Sequence, residues 1–81
     1  MDIENIEKLE SAAYRRLIKH LQKNTDVQNI DIMELAGFCR NCLSRWMSEE
    51  ADKLNITYSK EKAQEYVYGM TYKKWKEDFQ K

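Results

Sequence analysis

Two cysteines separated by two residues are the side chains of this chain best suited to chemistry. They lie in the run Cys39-Arg40-Asn41-Cys42. This spacing can bring two thiolates to one tetrahedral zinc ion, and it is also the spacing of pairs that cycle between dithiol and disulfide. A free cysteine is, however, often buried as a small apolar residue. We therefore favour packing as the use of this pair and keep zinc binding and redox chemistry as alternatives.

A complete structural zinc site has four ligands, and the sequence contains no second cysteine pair. His20 is the only histidine, so the candidate metal ligands are Cys39, Cys42 and His20. A carboxylate such as Glu10 or Glu49 would complete the set, or two chains would contribute two cysteines each. Zinc is the only cofactor that the sequence suggests. A redox pair is favoured at the N-terminus of a helix, whereas the apolar pattern places this pair about two turns inside a predicted helix.

Six polar residues lie around the predicted start of that helix, where a purely structural helix would not require them. They are Asp26, Gln28, Asn29, Asp31, Arg40 and Asn41. They form a possible polar surface site for a ligand, or a capping and salt-bridge network that fixes the connecting segment. We favour the network, because Asp and Asn beside a helix start commonly satisfy free backbone N–H groups.

A cationic face on the first predicted helix suggests a second kind of ligand. Its members are Lys8, Arg15, Arg16, Lys19 and Lys23. The chain carries 14 basic and 14 acidic residues, with a formal net charge of +0, whereas nucleic-acid-binding domains usually have a basic excess. A solvated face is the preferred interpretation, and a weak nucleic-acid adaptor is the less favoured one. The sequence has no Gly-rich phosphate loop or nucleophile elbow, so we assign no catalytic residue and expect no enzyme.

The apolar residues recur at intervals of three and four, which predicts an all-α fold. We expect one domain over residues 1–81 built as a small four-helix unit. The two long helices are predicted over 2–23 and 32–54, with the second capped by Asp31. The two short helices are predicted to begin after Ser59 and Thr71, and Gly69 to end the first of them.

The composition limits both the core and the location of the protein. The chain has 81 residues, of which 42% are hydrophobic and 35% are charged. No apolar stretch is long enough to span a membrane and no leader pattern opens the sequence, so we expect a cytoplasmic protein. The thiols are then expected to be reduced.

The second predicted helix has an apolar surface too wide for so small a chain to cover. Apolar residues occupy more than half of its circumference over the first four turns, which is typical of a helix with several neighbours or a second subunit. We therefore expect a non-catalytic protein-interaction module that self-associates as a homodimer, with any other protein partner undefined and no membrane partner.

Two stretches of the sequence also resemble a known family. One comprises Asp26-Val27-Gln28-Asn29-Ile30-Asp31, Ala36-Gly37-Phe38-Cys39-Arg40-Asn41-Cys42-Leu43 and Trp46, and the other Val67-Tyr68-Gly69-Met70, Tyr72, Trp75 and Lys76. Together they resemble the short bacterial proteins grouped as domain of unknown function family 1244, over about His20 to Gln80. The resemblance implies a compact all-helical fold of bacterial origin and supplies no established activity. Thr71 departs from the proline expected in relatives, and either residue can begin a helix.

Overall fold

The computed structural model describes residues 2–81, and all of its regular structure is helical. The all-α fold class is therefore confirmed. The five helices are α1 (Ile3–Lys23), α2 (Asn29–Ala36), α3 (Arg40–Lys53), α4 (Lys60–Tyr68) and α5 (Tyr72–Phe79). The first predicted helix agrees with α1, which begins after Asp2, whose side chain accepts a hydrogen bond from the backbone N–H of Asn5.

The core lies where the second half of α1 meets α3, α4 and α5. Its fully enclosed members are Ile18, Leu21, Leu43, Val67, Tyr68 and Trp75. Trp75 is the largest buried side chain, and its ring lies 5.1 Å from that of Tyr68 and 6.1 Å from that of Phe79. These aromatic contacts fix α5 against the end of α4. Tyr68, Trp75 and Phe79 thus form an aromatic centre between these two helices.

The predicted continuous helix over 32–54 is wrong, because the chain breaks at Gly37. Gly37 has φ of 77°, which is a left-handed conformation that ends α2, and its N–H donates to the carbonyl of Met33 at 2.9 Å. Phe38 and Cys39 then connect to α3, with Cys39 in an extended conformation at the N-cap. Gly37 thus acts as a helix terminator, which is the usual role of a glycine in this conformation.

The capping box predicted at Asp31 is also wrong, because α2 begins three residues earlier. The backbone N–H groups of Asp31 and Ile32 both donate to the carbonyl of Gln28, at 3.1 and 3.2 Å. Gln28 is thus the N-cap, although its side chain does not cap the helix. That side chain instead donates to the carbonyl of Phe79 and accepts from the N–H of Lys81. The start of α2 is consequently fixed by the end of α5.

The predictions for the two short helices are confirmed in detail. Ser59 accepts a hydrogen bond from the N–H of Lys62 at the start of α4, and Thr71 accepts one from Lys74 at the start of α5. Gly69 ends α4 with φ of 75°. The carbonyls of Tyr66 and Val67 at this end accept from the side chain of Gln22. A single amide of α1 therefore caps the C-terminal end of α4.

Several large apolar side chains remain uncovered. No residue of α2 is buried, and Leu35 is 90% exposed. Trp46 of α3 is 44% exposed and contacts Phe38, with 6.3 Å between ring centroids. Trp46 is thus outside the core, and we expect its removal to cost less than that of a fully buried tryptophan. None of the helices within residues 2–81 has the length and apolar character needed to cross a membrane.

Candidate functional site

The two cysteine thiols lie side by side at the N-terminal end of α3. Cys39 is the N-cap residue and Cys42 lies in the first turn, with 3.9 Å between the two sulfur atoms. Both residues are buried and neither forms a disulfide. The break at Gly37 is what moves them from the expected helix interior to a helix start. The position is the one in which partial positive charge from the first N–H groups favours a thiolate.

Arg40 lies next to the pair and is 1% exposed, so it belongs to the interior. Its guanidinium donates to the carbonyls of Val27 and Asn24 at 2.7 and 2.9 Å, and to Asn29 Oδ1 at 3.1 Å. A longer bond of 3.4 Å reaches the carbonyl of Leu21. None of these acceptors is a carboxylate. Arg40 instead satisfies carbonyls at the C-terminal end of α1, where the helix dipole favours a cation.

The same guanidinium packs over an aromatic ring. Its central carbon lies 4.9 Å from the centroid of the Trp75 ring, within the range of a cation–π contact. Burial lowers the pKa of Arg40, and the neighbouring Tyr68, Cys39 and Asp26 oppose that shift. The arginine thus connects the carbonyl end of α1, the aromatic centre and the thiol pair.

A hydrogen-bonded set of amides and phenols continues from Arg40 towards solvent. Asn29 donates to the hydroxyl of Tyr68 at 3.1 Å, and that hydroxyl donates to Asn41. Asn41 in turn donates to the hydroxyl of Tyr72 at 3.3 Å. Burial raises the pKa of Tyr68, and the hydrogen bond from Asn29 partly offsets this effect. These residues hold the start of α3 against α4 and α5.

Three members of this set, Asn29, Asn41 and Tyr72, line a cleft of about 430 Å³ between α2, the start of α3 and α5. Cys39 lies in its wall, as do Asn41 and Tyr72, whereas Cys42 does not. The cleft therefore adjoins one member of the thiol pair, Cys39, which is itself buried. Tyr72 and Trp75 also line the cleft, and neither was predicted as a site residue. The sequence signal near them was the Tyr-Gly-Met turn, whose left-handed Gly69 lies between Tyr68 and Tyr72.

The six polar residues predicted as a surface site are separated by the fold. Asn29 and Asn41 line the cleft, together with Gln28. Asp26 and Asp31 are exposed to solvent. Arg40 is not a surface residue, because it must reach the carbonyls at the end of α1. The network interpretation thus describes the contacts of Arg40 and Asn29, which fix the segment between α1 and α2.

The predicted metal ligands do not converge in one chain. Within the described part of the sequence, no group of three or more His, Cys, Asp or Glu residues is placed to hold a metal ion. His20 is exposed near the end of α1, and its Nε2 lies 3.5 Å from the amide nitrogen of Asn24. The two thiols are therefore the part of the predicted metal set that the fold brings together.

A different surface is formed by the first half of α1. Every residue from 2 to 13 is exposed, and Ile3, Ile6 and Leu9 are exposed at 75%, 41% and 55%. Ile3 lies about five helical turns before Leu21 and points in the same direction, yet Leu21 is buried. One apolar stripe is consequently covered at its C-terminal end and uncovered at its N-terminal end.

The charges along α1 are segregated in the same way. Four acids stand in the first ten residues, whereas the cations predominate from Arg15 onwards. A shallow groove beside the stripe is lined by Leu9, Ala12, Ala13, Arg16, Leu17 and His20. The five residues of the predicted cationic face are exposed, and Lys8 and Arg15 share a depression with Glu4 and Glu7. This face has mixed charge, unlike a continuous basic surface.

Comparison with known proteins gives a family and no activity. The sequence model of a family described as "Protein of unknown function (DUF1244)" matches residues 27–81, so the resemblance expected from the sequence is confirmed. The matched region comprises α2 to α5, including the thiol pair and the cleft. No curated protein matches the chain.

Proposed function

The chain belongs to the DUF1244 family, and we propose that it acts as an interaction module that forms a homodimer through α1. The observation that carries this proposal is the uncovered apolar stripe over the first half of that helix. About three turns of α1 consist of exposed residues, and they present Ile3, Ile6 and Leu9 to solvent. A helix that is amphipathic along its whole length normally buries its apolar side against a neighbour.

A second copy in antiparallel orientation is the occupant that best fits this surface. Such pairing would place the acidic first half of each α1 beside the basic second half of the other. It would also be self-complementary, as the interface of a two-fold symmetric dimer must be. Ala12 and Ala13, near the middle of α1, would let the two helices approach closely. Glu10, which interrupts the apolar stripe, would then lie near a cation of the other copy.

Sedimentation velocity of the full chain over a range of concentrations tests this proposal. We expect a species of twice the 9.8 kDa chain mass at micromolar concentration, and a Leu9→Lys variant that remains monomeric. Ser11→Lys is the matched control, since it adds the same charge on the opposite side of α1 and should leave the dimer intact. A monomeric wild-type protein at high concentration would disprove the proposal.

Charge reversal tests the orientation separately. Arg16→Glu and Glu10→Lys should each weaken the dimer, and the double variant should restore most of its stability if the helices are antiparallel. Moderate salt should also weaken the wild-type dimer, because exposed charge pairs are screened. A dimer that is insensitive to both changes would contradict the antiparallel arrangement.

A further inference from the structure

The buried thiol pair at the start of α3 has no role in the proposed dimer. We propose that Cys39 and Cys42 form a dithiol–disulfide pair that exchanges with low-molecular-weight disulfides, with Cys39 as the attacking thiol. This inference is independent of the proposed dimer, because the pair lies at the start of α3 and the proposed dimer surface lies on α1.

Proximity is the first argument. The sulfur atoms are 3.9 Å apart, which is van der Waals contact, and a disulfide requires about 2 Å. The two residues belong to the first turn of one helix, so only a small side-chain movement is needed to close the bond. Cys39 is the N-cap and has an extended backbone, whereas Cys42 lies within α3. The helix therefore constrains the Cys39 side chain less than that of Cys42.

Electrostatics is the second argument. The Cys39 side chain makes no capping hydrogen bond to the first turn of α3, so the partial positive charge of that helix end remains available to a thiolate. The buried guanidinium of Arg40 adds a full positive charge that has no carboxylate partner among its hydrogen-bond acceptors. Both features place positive charge near the proposed attacking thiol, and the anionic sulfur is the nucleophile in disulfide exchange.

Access separates the roles of the two thiols. Cys39 lies in the wall of the cleft of about 430 Å³, whereas Cys42, which is 6% exposed, does not line it. A cleft of this size is in the range of about 300–1,000 Å³ that small-molecule sites occupy. Cys39 is only 7% exposed. A small disulfide that enters the cleft can therefore reach Cys39 more easily than a disulfide on the surface of another folded protein can.

The reaction has two exchange steps. The Cys39 thiolate attacks one sulfur of the small disulfide, which forms a mixed disulfide and releases one small thiolate. The Cys42 thiolate then attacks the sulfur of Cys39, which closes the Cys39–Cys42 bond and releases the second small thiolate. The small disulfide is reduced by two electrons and the pair is oxidised by two. The protons lost by the two cysteines are balanced by those taken up by the two released thiols.

Oxidised glutathione is a suitable probe for the full-length chain. The reduced protein is equilibrated in glutathione buffers of increasing oxidised fraction, quenched in acid and alkylated, and free thiols are counted by intact mass. We expect the wild-type protein to pass from two alkylated thiols to none, with an intramolecular disulfide and little mixed disulfide. Wild-type protein that keeps both thiols alkylatable over the whole range would overturn the proposal.

Serine variants assign the two roles. Cys42→Ser should stop at a mixed disulfide on Cys39, whereas Cys39→Ser should react about tenfold more slowly. A positive control is Ser59→Cys in a chain that lacks both native thiols, since it places one exposed cysteine at the N-cap of α4. The mixed disulfide of this variant shows that the assay detects such a product. Circular dichroism confirms that each variant is folded. Equal reaction rates for the two single variants would overturn the assignment of Cys39 as the attacking thiol.

Metal analysis decides between this chemistry and a shared metal site. We expect protein purified without chelator to contain less than one zinc ion per two chains. Tight binding of one zinc ion per two chains, lost in both Cys39→Ser and Cys42→Ser, would instead place four thiolates from two copies on one ion. That result would overturn the exchange proposal.

Discussion

The start of α3 and the first half of α1 invert the usual distribution of polar and apolar residues. At the start of α3 a charged side chain, Arg40, is buried among carbonyl groups, amides and an aromatic ring. On α1 the apolar residues Ile3 and Leu9 are exposed to water. The first region is closed by hydrogen bonds within the chain, whereas every residue of the second, from 2 to 13, is exposed. In the proposed dimer, the second region is the one that a partner covers.

The largest test of this comparison is removal of the buried arginine. Arg40→Ala should lower the free energy of unfolding by about 3–5 kcal/mol, because it leaves several buried carbonyl groups without a donor and opens a cavity beside Trp75. Urea unfolding followed by circular dichroism measures the change. For a domain of this size such a loss is a large part of the total stability.

Arg45→Ala is the matched control for this experiment. Arg45 lies on the same helix and is exposed, so its removal should change the free energy of unfolding by no more than about 0.5 kcal/mol. Similar losses in the two variants would mean that the contacts of Arg40 with the end of α1 contribute nothing beyond a surface charge.

An intermediate effect is expected at Tyr14, which lies between the covered and uncovered halves of α1. Its hydroxyl is buried and finds no hydrogen-bond partner within residues 2–81, and burial, with the nearby Tyr66 and Tyr58, raises its pKa to about 12. Tyr14→Phe should therefore increase the stability at neutral pH by about 1 kcal/mol, because it removes an unsatisfied polar group from the fold.

The raised pKa of Tyr14 also gives this residue a part in alkaline unfolding. The folded state favours the neutral phenol of Tyr14. Its contribution to the free energy of unfolding is therefore complete below the ordinary tyrosine pKa of 10.0, and it is lost as the pH rises towards about 12. Tyr14→Phe should make the alkaline decrease in stability shallower. Tyr66→Phe, which removes the hydroxyl of the ring stacked on Tyr14 at 6.4 Å between centroids, should make the decrease shallower to a smaller extent, because burial of Tyr14 is the larger cause of the shift. A steeper alkaline decrease in Tyr14→Phe would contradict the assignment.

The sequence predicted the helices well where local chemistry determines them. Ser59, Thr71 and Gly69 act through their own neighbours, so the ends of α4 and the start of α5 could be predicted from the residue types. The start of α2 could not, because Gln28 is held by residues 79 and 81, more than fifty positions away. Helical periodicity also could not show whether a helix ends at Gly37 or continues through this glycine.

The candidate site was predicted in its residues and not in its geometry. The Cys39–Cys42 spacing was apparent in the sequence, but the relation of the pair to a helix start depends on the break at Gly37. The burial of Arg40 depends on the unsatisfied carbonyls at the end of α1, which only the packed fold brings to that point. Sequence alone also gave no reason to separate the two halves of α1, because their apolar spacing is the same.

The smallest expected effect on the folded chain is at Ile6, in the uncovered part of that stripe. Ile6→Ala should change the free energy of unfolding by less than about 0.5 kcal/mol in dilute, monomeric protein, because this residue is 41% exposed and the higher helix propensity of alanine offsets part of the lost contact. Ile18→Ala, the same substitution at a buried position of α1, should cost about 2–5 kcal/mol. If Ile6 serves the proposed dimer, the same variant should dissociate at a higher concentration than the wild-type protein in sedimentation experiments. A loss of monomer stability at Ile6 comparable to that at Ile18 would show that the first half of α1 is packed within its own chain, and the contrast between the two regions would then disappear.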